Sequence, residues 1–390
     1  MPITHAHQDA NPWGIPPLIQ LLTPEAQVQE HEVFSGYVAD IDRETLEGLY
    51  RSMALTRRFD EEATALQRQG QLLLWVSSRG QEAAQLGSTF ATAESDYIFP
   101  SYREHGIALG RGIKPGQLLA LFRGIDTCGW DPKKHNFHPY TLVLAAQVLH
   151  ATGYAMGLNF DATIAEETGE LQTGQGQATE PVAGEKPAVI TYFGDGSSTE
   201  GEIHESMVFA ASYNAPVLFF VQNNRWAISV PFETQSRVPI ATRAAGYGFE
   251  GIRVDGNDIL AVIAATRYAL EKIRAGEGPV LIEAETYRLG AHTTADDPTK
   301  YRTDAELTER TTVEPLVRLE KYLRALGTTD EFFEALAHEI KEYGSSVREA
   351  ALSLQSPSFE DFFDRVYAQS HSQVQEEAQW YRTYQDGFED

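Results

Sequence analysis

The sequence predicts an α/β protein: a mostly parallel sheet flanked by helices, continuing into a helical carboxyl-terminal region. Three observations carry that reading. Residues 188–229 change hydrophobic period from that of a strand to that of a helix and back. Further short β-rich runs, at 96–99, 251–254 and 279–284, are separated by helical patterns rather than by hairpin turns. Beyond residue 305 only polar stretches of helical period remain. A chain of 390 residues, 42% of them hydrophobic, can bury a large core as one big domain or two.

In chain order, residues 1–40 hold Pro2, Pro12, Pro16, Pro17 and Pro24 and read as an extended amino-terminal arm. Residues 41–305 read as the α/β domain, and 306–390 as a helical region packed on it. Leu46, Leu49, Tyr50, Met53, Phe59 and Leu66 recur at helical spacing up to the Arg68-Gln69-Gly70 break. A second helix opens at Gly80-Gln81-Glu82, and both helices read as packing without chemistry. Asp96 to Phe99 is a short strand, followed by Ser101-Tyr102-Arg103-Glu104-His105. Arginine there offers a rigid fork for phosphate oxygens and tyrosine a hydroxyl donor, while composition alone would make Arg103 an exposed partner of Glu104. His135 and His138 stand three apart with no third metal ligand, so they read as solvent-facing or substrate-loop histidines. Ala145 to Gly157 is helical, with Gln147 a packing or surface amide, and 166–185 is a polar surface insertion.

The central unit follows. Val189, Ile190, Tyr192 and Phe193 form a strand; Gly194-Asp195-Gly196 turns the chain; Ile203, Met207, Ala210 and Ala211 mark one helix face; Val217 to Val221 is a second buried strand. A right-handed crossover puts both carboxyl ends at one sheet edge, where open α/β sheets bind ligands, so Asp195 and Asn224, 29 residues apart, can meet there. Taken singly, a GDG turn and an Asn-Asn pair are turn chemistry. Together, a carboxylate, an amide oxygen and a main-chain carbonyl make a partial shell for a hard divalent ion, completed by phosphate oxygens. Gly194 and Gly196 let the backbone approach a phosphate, and a helix amino terminus favours its charge.

Ile240 to Ala245 begins a short helix, Gly251 to Val254 is a strand, Asp255 forms a turn and Asp258 caps the helix that stops at Gly276. Pro279 to Ala284 is the next strand, and the loop after it carries His292, which as a lone loop histidine would be solvent-exposed. Late aromatic residues, including Phe362 and Trp380, suit packing on a partner or within the chain.

Charge and targeting bound the function. The 31 basic and 56 acidic side chains leave a formal charge of -25, which repels a nucleic acid backbone. A single cysteine, Cys128, rules out an intramolecular disulfide framework. With no apolar run near 18 residues and no basic and apolar leader, a membrane role is not expected, and a cytoplasmic protein is.

The GDG and NN pair, together with RQGQLLLWVSSRGQEAAQLGS at 68–88, FPSYREHG at 99–106, GIRVDGND at 251–258 and TYRLGAHTTADDPTKYR at 286–302, resembles the alpha subunit of the thiamine-dependent 2-oxo acid dehydrogenases. The resemblance implies a thiamine diphosphate-binding fold, with thiamine diphosphate and Mg2+ as cofactors. It places Tyr102, Arg103, Gly194, Asp195, Gly196, Ser197, Gln222, Asn224 and His292 at the cofactor, with Asp195, Asn224 and the Trp226 carbonyl on the metal. His292 matches the histidine facing the diphosphate and the reacting carbon, which makes it the catalytic candidate. Residues 122–150 depart most from the family, where a shorter loop has Thr141-Leu142-Val143-Leu144; Leu142 and Leu144 can present a carbonyl and an apolar side chain to the cofactor ring. The implied partners are a beta subunit, in an α2β2 heterotetramer, and a lipoyl acyltransferase. The 291–297 run resembles the branched-chain enzymes more closely; pyruvate is the runner-up, and a non-catalytic paralogue is the reading from another class.

Overall fold

The computed structural model describes residue 11 and residues 13–168, 186–364 and 366–388. The strands are β1 (Leu18–Ile19), β2 (Tyr97–Phe99), β3 (Val189–Gly194), β4 (Val217–Asn223), the hairpin β5 (Trp226–Ala227) and β6 (Val230–Pro231), β7 (Glu250–Asp255) and β8 (Val280–Glu285). Six of them form one parallel sheet in the order β1-β7-β8-β4-β3-β2. Side chains alternate across it, as a two-residue period requires. Ile190, Tyr192, Leu218, Phe220 and Ile282 enter one apolar cluster, and Val189, Phe193, Val217, Phe219 and Leu281 the other. With both faces covered, the central strands read as continuous apolar runs.

The first face is covered by α1 (Arg43–Arg68), α2 (Glu82–Ala91), α3 (His105–Gly110) and α4 (Pro115–Phe122). After the short α5 (Pro132–His135), the second face is covered by α6 (Ala146–Thr168), α7 (Gly201–Ser212) and, past the single turn α8 (Phe232–Gln235), by α9 (Ala244–Tyr247). The chain then returns to the first face with α10 (Ile259–Arg274). Helix α6 runs past Gly157 to Thr168, because no proline follows and a mid-helix glycine costs only about 1 kcal/mol. The expected polar insertion at 166–185 therefore opens inside α6, and its remainder lies outside the described residues.

The carboxyl-terminal helices are α11 (Asp304–Thr312), α12 (Pro315–Ala325), α13 (Asp330–Leu352), α14 (Phe359–Phe363) and α15 (Ser372–Asp386). Helix α13 is clamped to α1 by the Tyr50–Phe333 edge contact at 5.7 Å and the Arg348–Glu62 ion pair at 2.6 Å. Helix α15 buries none of its side chains.

At the other end, β1 lies along the sheet edge, with Ile19, Leu21 and Leu22 buried. Asp258 ties this edge to α10. One carboxylate oxygen accepts from Leu260 N and Ala261 N at 3.0 and 3.1 Å, the other from Leu21 N and Leu22 N at 2.6 Å each. Asp258 is thus the helix cap the sequence implied, and a staple for the edge strand as well. Asp258→Ala should cost about 3 kcal/mol or more, because cap loss is compounded by orphaned buried N–H groups. Chemical denaturation would measure it, and a cost below 1 kcal/mol would mean that the chain ends re-solvate freely.

Candidate functional site

Parallel strands deliver their following loops to one edge, and here four do so. The loop after β2 brings Tyr102 and Arg103, that after β3 brings Asp195, Gly196 and Ser197, that after β4 brings Asn224 and Trp226, and that after β8 brings His292. Together with Gly194, Gln222, Leu142 and Leu144, all these sequence-predicted site residues line a single cavity of about 510 Å³. The structure brings every one of them together.

One wall is cationic. Arg103 is buried, and its guanidinium donates to the Ser77 carbonyl and, at 3.1 Å each, to His292 Nδ1 and the His292 carbonyl. None of these acceptors is a carboxylate. Since arginine only donates, Nδ1 of His292 is an acceptor and the ring proton sits on Nε2. Burial, then repulsion from Arg103 and Arg288, pushes His292 down to about 3, so the imidazole is neutral at physiological pH. The histidine is half-buried rather than solvent-facing, because Asp296 accepts from its N–H at 2.8 Å and folds the loop inward. Tyr102 stands edge-on to it, with ring centroids 6.4 Å apart.

Another part of the wall is anionic. Asp195 is 1% exposed and takes one side-chain hydrogen bond, from Gln235 Nε2 at 3.1 Å; among the described residues it has no ion-pair partner. Burial pushes its carboxyl above the usual range. Asn224 Oδ1 accepts from Trp226 N at 3.2 Å, which turns the backbone back toward the cavity. The Trp226 carbonyl accepts from Arg288 Nη1 at 2.9 Å and keeps a second lone pair. Helix α7 starts at Gly201, only after a 3-10 turn over Ser197–Thr199, so the GDG turn does not abut its amino terminus.

A hard cation with a polyphosphate suits these walls. The metal-side donors are all oxygens, and a lone buried carboxylate is costly until a cation joins it. Among the described residues the buried Arg103 fork has no carboxylate partner. Gln81 Nε2, on the cavity wall, is buried without a hydrogen-bond partner among the described residues. A Cβ on Gly194 would meet no atom closer than 4.0 Å, which leaves room for a ligand.

Other side chains were less legible. Gln222 donates to buried Glu104 at 2.7 Å and accepts from Gln85 at 3.0 Å, so one amide hydrogen remains for a ligand. Leu142 and Leu144 are 58% and 42% exposed at the cavity mouth, next to Val143 at 72%. Ile228, also on the wall, holds φ at +56°, a strained setting for a β-branched residue. Arg288 secures that turn by reaching the carbonyls of both Trp226 and Ile228. Only the GQE run after Arg79 hinted at Gln81, and nothing in the sequence pointed to Ile228 or Gln235 as wall residues. Rather than facing solvent, His138 stacks on Phe99 at 4.5 Å and His135 bonds the Arg111 carbonyl at 3.0 Å, because their loop runs alongside β2, with Phe137 bridged to Ile98.

A family model described as dehydrogenase E1 component matches residues 50–357. The chain is 39% identical over 349 residues to a 3-methyl-2-oxobutanoate dehydrogenase subunit alpha of Mycobacterium tuberculosis, covering 89% of this chain and 87% of that protein. It is 36% identical over 327 residues to a pyruvate dehydrogenase E1 component subunit alpha of Bacillus cereus, covering 83% and 81%. A Staphylococcus aureus protein of the same description is 35% identical over 355 residues, covering 88% and 89%.

Proposed function

The chain belongs to the dehydrogenase E1 component family, and from that premise we propose that it is the alpha subunit of a thiamine diphosphate-dependent 2-oxo acid dehydrogenase. Its substrate is a branched-chain 2-oxo acid of the 3-methyl-2-oxobutanoate type, and the acyl group passes to a lipoyl acyltransferase subunit. The observation that carries this reading is the presence, in one cavity, of a buried guanidinium and a buried carboxylate that, among the described residues, have no ion-pair partner. Leu74, Val76, Leu142, Leu144, Ile228 and Val230 make the remaining wall aliphatic, which suits a branched side chain. The pyruvate relatives, at 36% and 35% identity, keep pyruvate as the second reading.

Asp195, the Asn224 amide oxygen and the Trp226 carbonyl would hold Mg2+. Arg103, Tyr102, the free Gln222 amide hydrogen and the main chain of Gly194 to Ser197 would hold the diphosphate, and Leu142 and Leu144 would flank the ring. When bound, thiamine diphosphate supplies the carbon nucleophile and electron sink that decarboxylation of a 2-oxo acid needs. His292, neutral with its proton on Nε2, is set to donate a hydrogen bond where negative charge develops.

The mouth of the cavity calls for a cover. Leu142, Val143, Leu144, Ile228 and Val230 expose 41–72% of their surface around it, the kind of apolar rim that marks a protein interface. A beta subunit in an α2β2 assembly fits there. No helix among the described residues is long and apolar enough to cross a membrane. The net charge of -25 argues against a nucleic acid partner, and a cytoplasmic location belongs to the same reading.

The test is 2-oxo acid decarboxylation by the chain assembled with its beta partner, thiamine diphosphate and magnesium, comparing 3-methyl-2-oxobutanoate with pyruvate. Faster turnover of the branched acid is expected; a preference for pyruvate would install the second reading. An intact assembly that fails to bind the cofactor would instead point to a non-catalytic paralogue. In the same assay His292→Ala should lower kcat on the order of 10²- to 10³-fold while cofactor binding stays measurable. Wild-type turnover in that variant would remove His292 from the chemistry.

A further inference from the structure

Three buried acids, Asp60 and Glu62 on α1 and Glu82 on α2, are treated differently by the fold. Glu82 pairs with Arg57 at 2.5 Å, and Glu62 with Arg58 and Arg348 at 2.6 Å each. Among the described residues Asp60 has no cation. Instead it accepts from Trp75 Nε1 at 3.0 Å, Ser77 Oγ at 2.6 Å and Ser78 N at 2.9 Å. All three donors lie within four consecutive residues of the extended strap that links α1 to α2. An apolar side chain would fill such a site at lower electrostatic cost, so the carboxylate is explained by what it fixes rather than by stability.

What it fixes is the backbone that the cationic wall hangs from. Trp75 and Thr294 exchange two hydrogen bonds, Trp75 N to Thr294 Oγ1 at 3.0 Å and Thr294 N to Trp75 O at 2.9 Å. Leu289 N donates to the Arg79 carbonyl at 3.0 Å, so the strap holds the His292 loop on both sides of the histidine. Arg103 donates to the Ser77 carbonyl and then to His292. From the other side, His105 Nε2 donates to the Val76 carbonyl at 2.8 Å, and its ring stacks on Trp75 with centroids 4.3 Å apart. Contact with the anchor is direct as well: a Cβ on Gly290 would come within 2.7 Å of Ser77 Oγ, the atom that donates to Asp60.

We infer that Asp60 is a positioning residue: through residues 75–79 it sets where Arg103 and His292 stand at the cavity. The assignment rests on the functional reading above, in which those two residues face the diphosphate and the substrate. Asp60 itself touches neither: it does not line the cavity, and its carboxylate accepts three hydrogen bonds from the strap.

Hydrogen exchange of the full chain without cofactor, read by mass spectrometry on peptides covering 74–80 and 289–295, tests the mechanical half. In Asp60→Ala both segments should exchange together at least about tenfold faster, while the α13-facing part of α1 exchanges as in the parent. Asp60→Asn, which keeps one acceptor oxygen, should fall between, and Ser77→Ala should show the smallest effect. If Asp60→Ala does not fold, the other two variants carry the same readout. Uniformly faster exchange, or an unchanged histidine loop, would make Asp60 an ordinary core residue and overturn the inference. Calorimetric titration of thiamine diphosphate with magnesium tests the other half on the enzyme assembled with its beta partner. Asp60→Asn should bind about tenfold more weakly, as loss of an outer partner typically does. Unchanged affinity would overturn the inference. Should the parent assembly not bind the cofactor, the functional reading falls, and the exchange experiment still decides whether Asp60 places Arg103 and His292.

Discussion

Asp195→Asn should strongly weaken magnesium-dependent cofactor binding while leaving the unliganded protein at least as stable as the parent. The two effects have one cause. The Asp195 carboxylate is buried with a single side-chain donor and, among the described residues, no ion-pair partner, so in the unliganded protein its charge is a cost. In the loaded protein the same charge would face a divalent ion, and removing one member of a buried charge pair costs roughly 2–5 kcal/mol, about 30- to 5000-fold in affinity. Asparagine keeps the shape and an amide oxygen. Calorimetry with thiamine diphosphate and magnesium should show the loss, and a melting scan without ligand should show no fall in Tm. A variant that binds normally would remove Asp195 from the metal shell; one that melts far lower would mean that its carboxylate supports the fold.

Arg103→Met should cost a similar factor in diphosphate affinity, again about 10²-fold or more. Lysine should rescue little of it, because two oxygens on a planar fork are not matched by one ammonium. The substitution also has a pH signature on a neighbour. Burial is the first cause of the low His292 pKa, and repulsion by Arg103 is the second. A folded-state value of about 3 lies below the usual one, so in the unliganded parent His292 stays neutral throughout pH 5–8. Without the guanidinium the imidazolium is less disfavoured, and the value should move up while burial still holds it below 6.5. An NMR titration of the His292 ring protons would follow this. No upward movement would mean that Arg103 does not act on the ring as the 3.1 Å contact implies.

The site was legible where chemistry sits at strand ends and in fixed local turns. Gly194-Asp195-Gly196 and Asn223-Asn224 each follow a buried apolar run, and parallel pairing of β3 with β4 brings them to one edge without further information. Side-chain reach across the fold was not legible. That Arg288 crosses to the Trp226 and Ile228 carbonyls depends on the path of the β5–β6 hairpin, which no spacing encodes. The 68–88 stretch shows the same limit. Its periodicity gave the flanking helices correctly, yet their reading as packing alone missed Gln81 on the cavity wall and the hold of Asp60 on Trp75, Ser77 and Ser78. Burial of a carboxylate inside an amphipathic helix leaves no mark in an apolar pattern.

Assembly of the cavity from loops after β2, β3, β4 and β8 bears on the order of folding events. Its walls come from residues as far apart as Leu74 and Thr293, and they meet only when all four strands are in register. Such long-range parallel pairing is slow, because loop closure precedes its reward. A half-folded chain therefore offers a ligand bridging Arg103 and Asp195 nothing to grip. Its binding energy should enter after the rate-limiting barrier, lengthening the lifetime of the folded state without hastening its formation.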